Sequence, residues 1–201
     1  MMIRTNLYYI FFLIALTSCG LFSTRDPESP DSDKSTYIPP NKAVDVITNF
    51  KNAIIEKNSE NYKSCFLDTI NFSDKRYTFV PSPDAYALYQ SLFDNWDLDD
   101  EKRTFYSIIS KLPEGTSPQL ELTNYDFFDQ QPNSETYISD YKIIIRHNIQ
   151  GLDTAFAGTL QFMMIRNPSN SYWYIQKWTD TNPSNDTINA TWSILKAQFA
   201  N

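Results

Sequence analysis

Residues 137–149 read YISDYKIIIRHNI, and they decide the fold because they belong to a series of strand-like segments in the second half of the chain. Three similar segments surround them: LELTNYDFF (120–128), TAFAGTLQFMMIR (154–166) and SYWYIQKWTD (171–180). All four are rich in β-branched and aromatic residues, and the turn-prone stretches NSE, QGLD and NPSNS separate them. The pattern predicts four consecutive antiparallel strands.

The part of the chain before these strands is predicted to be mainly helical. In residues 41–58, NKAVDVITNFKNAIIEKN, apolar residues recur at spacings of three and four. The other predicted elements are helices that start at Ser59, at Ser82-Pro83-Asp84 and at Asp99 or Asp100, a short strand YTFV (77–80), and a C-terminal helix TWSILKAQF (191–199). This order predicts an α+β fold in which N-terminal helices pack on one face of a curved antiparallel sheet, with a helix at the C-terminus.

The N-terminus has the organisation of a secretory signal. Arg4 supplies positive charge, residues 7–16 are apolar, and two small residues precede Cys19. The tetrapeptide Leu16-Thr17-Ser18-Cys19 resembles the lipobox of bacterial lipoproteins. The resemblance implies a signal peptide over 1–18, a diacylglycerol on Cys19, and a fatty acid such as palmitate on the new amino terminus. An ordinary secretory signal with a chance cysteine is the alternative.

The same resemblance implies where the protein is located. A di- or triacylated Cys19 would anchor the chain stably, because each buried methylene contributes about 0.8 kcal/mol. Gly20, where some lipoproteins have Asp, resembles lipoproteins that are sent to the outer membrane. We therefore expect a lipid-anchored protein of the bacterial cell envelope, in the outer membrane, which contacts the membrane through its lipid.

The rest of the chain is predicted to form a tether and one domain. Residues 19–40 are rich in Ser, Asp and Pro and contain few apolar residues, which predicts a disordered tether. Residues 41–201 are enough for one domain with a sizeable core. Removal of residues 1–18 takes away one Arg, so the charge changes from −7 to −8 (16 basic against 24 acidic residues).

The composition excludes several classes of function. The chain has one His and two Cys, too few for a multi-histidine or structural zinc site, and we expect no metal site. Its four Gly are too scattered for a phosphate-binding loop, so we expect no nucleotide cofactor. The acidic charge disfavours nucleic acid as a partner. If Cys19 is acylated, Cys65 is the remaining thiol, and its apolar helix face predicts a core residue.

Several segments of the domain also resemble a known family. The start NFKNAIIEKNSENYKSCFLD (49–68), the middle PSPDAYALYQSLFDNW (81–96) and the end WYIQKWTD (173–180) with TWSILKAQF (191–199) are similar to an uncharacterised group of bacterial NTF2-like lipoproteins. The group has the cystatin-related cone fold. Its motifs are aromatic packing positions, so the resemblance implies the fold of residues 41–201 rather than a reaction. Some proteins of this fold are isomerases or dehydratases.

The candidate pocket residues are His147, Tyr141, Trp173, Trp178 and Asp180. Strand alternation places Tyr141 and His147 on the same apolar face of the sheet, where His147 could act as a general base with help from Tyr141 or Asp180. A structural role for His147 is the alternative. Trp173 and Trp178 could form a platform for a sugar or lipid, or belong to the core. Asp180 could cap a turn or pair with a basic residue.

Three functions remain open from the sequence. The first is a non-enzymatic lipoprotein that binds a small apolar ligand or an envelope protein through its NTF2-like domain, and it is the interpretation we favour. The second is a cavity enzyme of the isomerase or dehydratase type with His147 as the base. The third is a structural assembly subunit with an exposed apolar patch. A deep pocket lined by His147, an apolar pocket, or a filled cone would distinguish these functions.

Overall fold

The computed structural model of the chain describes residues 35–70, 72, 74–183, 188 and 190–200. The predicted signal peptide (1–18), Cys19 and the first part of the predicted tether (19–34) lie outside these residues. Within the described residues, no helix combines the length and the apolar character that crossing a membrane would require.

The predicted α+β architecture is confirmed. In chain order, the described elements are α1 (Ala43–Ile55), α2 (Ser59–Ser64), β1 (Thr78–Val80), α3 (Pro83–Phe93), α4 (Leu98–Ser110), β2 (Gln119–Gln131), β3 (Ser134–Ile144), β4 (Ala155–Arg166), β5 (Trp173–Thr181) and α5 (Trp192–Phe199). The four strands predicted after residue 113 correspond to β2–β5, and the C-terminal helix is α5.

Helix starts differ from the predicted ones by one or two residues because of local capping. Asp97 is the N-cap of α4, since its carboxylate accepts the backbone N–H groups of Asp99 and Asp100. Asn58 rather than Ser59 caps α2 in the same way. Helix α3 begins at Pro83 after Ser82, as predicted.

The sheet is a five-stranded, curved layer in the order β1-β5-β4-β3-β2. Strands β2 to β5 form the predicted antiparallel series. Strand β1 adds to the far edge in parallel with β5, so that Phe79 lies opposite Trp178. The sequence predicted β1 as a strand but did not indicate its partner.

Aromatic side chains fill the concave side of the sheet. Trp178 of β5 is fully buried, and its ring centroid lies 4.9–6.2 Å from five other aromatic rings. These rings belong to α1, to the segment after α2, to β1, to β4 and to α5: Phe50, Phe66, Phe79, Phe162 and Trp192. Helices and sheet therefore meet around one indole, and the cone is filled by the chain's own side chains.

Residues 35–40 pack against the domain, although their composition predicts that they belong to the tether. The backbone N–H of Ile38 donates to the Asn49 side chain at 2.9 Å, and the Asn49 amide donates back to the carbonyl of Ile38 at 2.7 Å. The backbone N–H of Trp173 donates to the carbonyl of Pro40 at 2.9 Å. The packed domain therefore includes six residues before Asn41, because a buried Asn on α1 offers their backbone specific partners.

Gly158 of β4 permits a close approach at the centre of the sheet. A Cβ atom at this position would lie 2.4 Å from the backbone oxygen of Thr181 and 2.7 Å from the hydroxyl of Tyr141. Because Tyr141 holds the start of α5, as described below, this glycine makes room for the contact between the sheet and α5.

Candidate functional site

Open pockets lie on the surface of the described residues, and three of them bear on the candidate residues. The largest of these three, of about 720 Å³, lies beside Ile55, the loop from Gly115 to Pro118, and the outer side chains Lys142 and Arg146. A second of about 490 Å³ is lined by Trp173, Phe127 and Arg166 among others, and a third of about 650 Å³ lies between Lys63, Tyr77 and Trp96. Of the five candidate pocket residues, Trp173 alone lines one of these three pockets.

His147 lies in the loop between β3 and β4, three residues after the end of β3. Its side chain is 7% exposed. One ring nitrogen, Nε2, lies 3.0 Å from the carbonyl oxygen of Asp153, and the other, Nδ1, accepts the backbone N–H of Ile149 at 3.2 Å. Its ring packs on Phe199 at 5.3 Å. Both ring nitrogens are thus engaged by backbone groups of the same loop.

Tyr141 and Asp180 form a buried network that holds the start of α5. The Tyr141 hydroxyl donates to Asp180 Oδ1 at 2.8 Å and accepts the backbone N–H of Trp192 at 2.6 Å. Asp180 Oδ2 accepts both the backbone N–H of Ser193, at 2.7 Å, and the Ser193 hydroxyl. Asp180 is therefore a helix cap rather than the partner of a catalytic histidine.

Burial affects the ionisation of this network. Burial raises the pKa of Asp180, against the hydrogen bonds from Ser193 and Tyr141, which lower it. Burial likewise raises the pKa of Tyr141 well above its ordinary value, and the neighbouring Asp180 carboxylate adds to the effect. Tyr141 thus keeps its proton and donates a hydrogen bond to Asp180, which is the state that the cap requires.

Trp178 is a core residue, and Trp173 lies mostly within the core. The Trp178 indole N–H is buried without a hydrogen-bond acceptor among the described residues. Trp173 is 8% exposed and contributes to the 490 Å³ surface pocket. The two side chains therefore do not form a common exposed platform for a sugar or lipid.

A buried carboxylate that sequence reasoning did not single out occupies the inside of the cone. Glu101 of α4 is 1% exposed. Its Oε1 accepts the Tyr62 hydroxyl at 2.7 Å. Its Oε2 accepts the Tyr77 hydroxyl at 2.9 Å, the Trp96 indole N–H at 2.9 Å and the Lys196 ammonium at 2.8 Å. Four donors from four parts of the chain converge on this one carboxylate.

Lys196 of α5 completes the cluster. It is 1% exposed, and its Nζ lies 3.4 Å from the ring centroid of Phe79 and 3.6 Å from that of Trp178. The Trp96 ring lies further away, at 5.6 Å. Burial lowers the pKa of Lys196 to about 8, while the Glu101 carboxylate acts in the opposite direction. An ion pair therefore lies inside an aromatic shell.

Two tyrosines of the cluster stay protonated because of their surroundings. Burial raises the pKa of Tyr62 and of Tyr77 well above the ordinary value, and the negative charge of Glu101 raises both further. The Cys65 thiol nearby is also buried, which raises its pKa, and it lies 3.3 Å from the carbonyl oxygen of Asn61. This agrees with the predicted core role of Cys65.

Residue spacing within two helices contained a signal for this cluster. In α4, Glu101 falls three and four residues from Leu98 and Phe105, on the apolar stripe of the helix. In α5, Lys196 falls four residues after Trp192 and three before Phe199. A charged residue on each buried stripe, of opposite sign, predicts a buried pair. The neighbouring carboxylates Asp97, Asp99 and Asp100 lie at the start of α4, whereas Glu101 turns inward.

The arrangement offers little for reaction chemistry. Acid–base catalysis at Glu101 would need a substrate beside the carboxylate, and that space is taken by Lys196 and aromatic rings. Among the described residues, no group of three or more His, Cys, Asp or Glu side chains is placed to hold a metal ion. The cluster stabilises the fold and connects α2, α4 and α5 through one buried charge.

Comparison with known proteins agrees with this fold. No protein-family model and no curated protein matches the chain. Among solved structures, a putative dehydratase of the NTF2-like family from Streptomyces avermitilis is 13% identical, with a TM-score of 0.50 over 70% of this chain and 92% of that one. An NTF2-like superfamily protein from Salmonella enterica serovar Typhimurium is 12% identical, with a TM-score of 0.51 over 71% and 89%.

A putative scytalone dehydratase from Novosphingobium aromaticivorans is also similar, at 10% identity and a TM-score of 0.50 over 73% of this chain and 87% of that one. Such low identities carry no catalytic residue over to this chain, and they bear on the backbone arrangement alone. Together with the curved sheet, the packed helices and the filled concave side, they show that the chain has the NTF2-like fold.

Proposed function

We propose that the protein is a lipid-anchored component of the bacterial cell envelope whose NTF2-like domain binds a protein partner on its outer surface. The filled cone is the observation that carries this proposal. Trp178 is enclosed by five aromatic rings, and Glu101 accepts four hydrogen bonds from the chain itself. A domain whose interior is occupied in this way acts through its surface.

The alternative of a cavity enzyme has little support from the geometry. His147 would be its base, but the backbone uses both ring nitrogens. Replacing His147 by Gln should cost stability, about 1–2 kcal/mol, because one buried backbone partner is left unsatisfied. If the wild-type protein turned over a substrate and the His147→Gln variant lost this activity without a change in melting temperature, the enzyme interpretation would be favoured.

Carriage of a small apolar ligand is also less well supported. The pockets on the described residues are open, and charged side chains line each of them, for example Lys142 and Arg146 in the largest. Ligand sites for apolar molecules are usually enclosed and mainly apolar. A small molecule that remains bound in native mass spectrometry of the purified protein would favour this alternative.

Helix α3 is the surface that best suits a protein partner. Of its eleven residues, only Ala85 and Phe93 are buried. Tyr86, Leu88 and Tyr89 are 39%, 70% and 37% exposed. Exposed aromatic and aliphatic side chains grouped on one helix are typical of interaction sites.

The charge around α3 indicates the chemistry of the partner. Asp84 lies in the first turn of the helix, and Asp94 follows its last residue. Residues 83–97 contain no Lys, Arg or His. An apolar patch with an acidic rim is complementary to an apolar patch with a Lys- and Arg-rich rim. We therefore infer an envelope protein with a basic surface as the partner.

A photocrosslinking amino acid in place of Leu88 tests this surface in living cells, with the same amino acid in place of the exposed Lys142 as the matched control. We expect one discrete heterologous product from position 88, which weakens when Asp84 and Asp94 are changed to Asn, and no such product from position 142. A product with the mass of two copies of this chain would favour the structural-subunit alternative. Equal products at both positions, or none at position 88, would contradict the proposal.

Membrane anchoring is tested separately through the two cysteines. Cys19→Ser removes the proposed acylation site, whereas Cys65→Ala changes a buried core thiol and serves as the control. We expect the Cys19→Ser protein in the soluble fraction, without incorporation of a labelled fatty acid, and the Cys65→Ala protein in the membrane fraction with label. A Cys19→Ser protein that still sediments with membranes would contradict lipid anchoring.

A further inference from the structure

The surroundings of Lys196 form a complete receptor for an ammonium group. One carboxylate oxygen, Glu101 Oε2, accepts from Nζ at 2.8 Å, and the ring centroids of Phe79 and Trp178 lie 3.4 and 3.6 Å from the same nitrogen. An ammonium has three N–H groups, so one hydrogen bond and two cation–π contacts use its bonding capacity. Its charge is balanced by a carboxylate that is 1% exposed.

The groups of the receptor that contact the ammonium all lie outside α5, although the Trp192 ring of α5 packs on the Trp178 indole at 4.9 Å. The parts of the receptor come from α4, β1 and β5, and the hydrogen bonds that orient the carboxylate come from Tyr62, Tyr77 and Trp96. Helix α5 contributes the occupant, Lys196. The carboxylate of the receptor and its occupant are therefore separate parts of the chain, 95 residues apart in sequence.

We propose that this cage is a binding site for primary alkylammonium groups, and that the chain occupies it with its own Lys196. The geometry selects the primary ammonium among cations. Glu101 Oε1 is engaged by Tyr62, so the carboxylate is not free for the paired hydrogen bonds of a guanidinium. A quaternary ammonium has no N–H to donate to Oε2.

Truncation of Lys196 should leave the cage open, with α5 in place. The start of α5 is also held by Asp180, through the Ser193 N–H at 2.7 Å, and by the hydrogen bond from the Trp192 N–H to Tyr141. The Asp180 carboxylate attracts the Lys196 charge as well, but these hydrogen bonds do not involve Lys196. Lys196→Ala removes three methylenes and the ammonium, which is the size and charge of n-propylammonium. Buried cavities of this kind bind small molecules that match them.

The experiment is thermal unfolding of the full mature chain carrying Lys196→Ala, in detergent at pH 7. The probe is n-propylammonium chloride, compared at equal concentration and ionic strength with 1-propanol plus NaCl and with propyltrimethylammonium chloride. We expect the melting temperature to rise with n-propylammonium alone, by roughly 5–10 °C at about 100 times its Kd. Wild-type protein, whose cage is filled, should not respond.

Leu195→Ala is the matched control, because Leu195 is the adjacent residue of α5, is equally buried, and has an apolar side chain that makes no hydrogen bond to a carboxylate. Its cavity is apolar, so n-propylammonium should not stabilise it. Equal stabilisation of Lys196→Ala by 1-propanol, an equal response of Leu195→Ala, or no response to n-propylammonium would overturn the proposal.

Folding of the variant does not limit the test. If Lys196→Ala is unfolded, n-propylammonium should restore the folded state by mass action, and failure to do so counts against the cage. In the wild-type protein, NMR should show the Lys196 ε-protons shifted upfield by the rings of Phe79 and Trp178, and ordinary lysine shifts would contradict the cage geometry. These results are independent of partner binding at α3 and of lipid anchoring.

Discussion

Replacing Glu101 by Gln should lower the free energy of unfolding by about 3–5 kcal/mol at pH 7, because the change leaves a buried ammonium without its carboxylate. The amide keeps the shape of the side chain but replaces one accepting oxygen by an NH2 donor. Three of the four donors around Glu101 converge on Oε2. With the amide oxygen at the Oε2 position, the NH2 group faces the Tyr62 hydroxyl, which can rotate to accept from it, so the loss comes from the missing negative charge rather than from a clash of donors.

The structure also sets an upper bound on what Lys196 contributes to this loss. Lys196 can release its proton instead of remaining charged and unpaired. Holding a lysine of ordinary pKa 10.5 neutral at pH 7 costs about 5 kcal/mol, at about 1.36 kcal/mol for each pH unit, and the wild type already bears about 3 kcal/mol of this cost because its Lys196 pKa is about 8. Neutralisation of Lys196 therefore adds about 1–2 kcal/mol to the loss in Glu101→Gln, and the weaker hydrogen bonds that Tyr77 and Trp96 make to a neutral amide account for the rest.

The difference in unfolding free energy between the wild type and Glu101→Gln should become smaller as the pH rises. In the variant, Lys196 is neutral when folded and charged when unfolded, so the unfolded state binds more protons and stability rises with pH. In the wild type, the Lys196 pKa of about 8 keeps the folded state largely protonated at pH 7, so its stability changes little up to pH 8. The difference between the two proteins should shrink by about 1 kcal/mol from pH 7 to 8.

Urea unfolding followed by tryptophan fluorescence is a suitable assay, with the exposed Glu121→Gln as the control, which should change stability by less than about 0.5 kcal/mol. The double variant Glu101→Gln with Lys196→Met should lose less than the sum of the single variants, because it removes both charges together. A loss below about 1 kcal/mol in Glu101→Gln, or a deficit independent of pH, would refute the reasoning.

Three further substitutions test other parts of the fold. Asp180→Asn should destabilise the protein by about 2–4 kcal/mol, because the buried oxygen that accepts two donors from Ser193 is needed at the start of α5, and hydrogen exchange in α5 should accelerate; unchanged exchange there would contradict the cap. Gly158→Ala should destabilise by at least about 2 kcal/mol, since its Cβ would lie 2.4 Å from the Thr181 backbone oxygen, and a calorimetric melting temperature equal to that of the wild type would contradict the close approach of β4 and β5 at this position. Cys65→Ala should regain about 1.4 kcal/mol relative to wild type from pH 7 to 10, because the buried thiol stays protonated while the unfolded thiol, with an ordinary pKa of 9.0, ionises and stabilises the unfolded wild type; denaturation curves that differ by a constant amount at all pH values would show that the thiol is accessible.

The fold was predictable from the sequence to the extent that it depends on local patterns. Strand alternation in residues 137–149 predicted that Tyr141 and Ile143 share one face, and both are buried in β3. His147 is buried as well, but it lies in the loop after β3, where strand alternation no longer applies. Ser82 and Pro83 marked the start of α3 correctly. The edge position of β1 could not be predicted, because a three-residue parallel strand leaves no periodic signal of its partner.

The candidate site was predictable only in part, because sequence spacing gives the face of an element but not its contacts. Tyr141 and Asp180 are together in the structure, as partners in a helix cap. The His147 ring does not take part in this network, because both of its hydrogen bonds are made to backbone groups of its own loop. The contact between Glu101 and Lys196 depends on the docking of α5 against α4.

The sequence by itself determined the order of helices and strands, the apolar faces and the charge, since these follow from residue spacing and composition within single segments. The tertiary structure decided that the cone is filled and that a Glu and a Lys 95 residues apart form its central ion pair. The reason is physical: a buried charge is tolerated only where several distant groups meet to balance it, and that meeting is a property of packing rather than of any one segment.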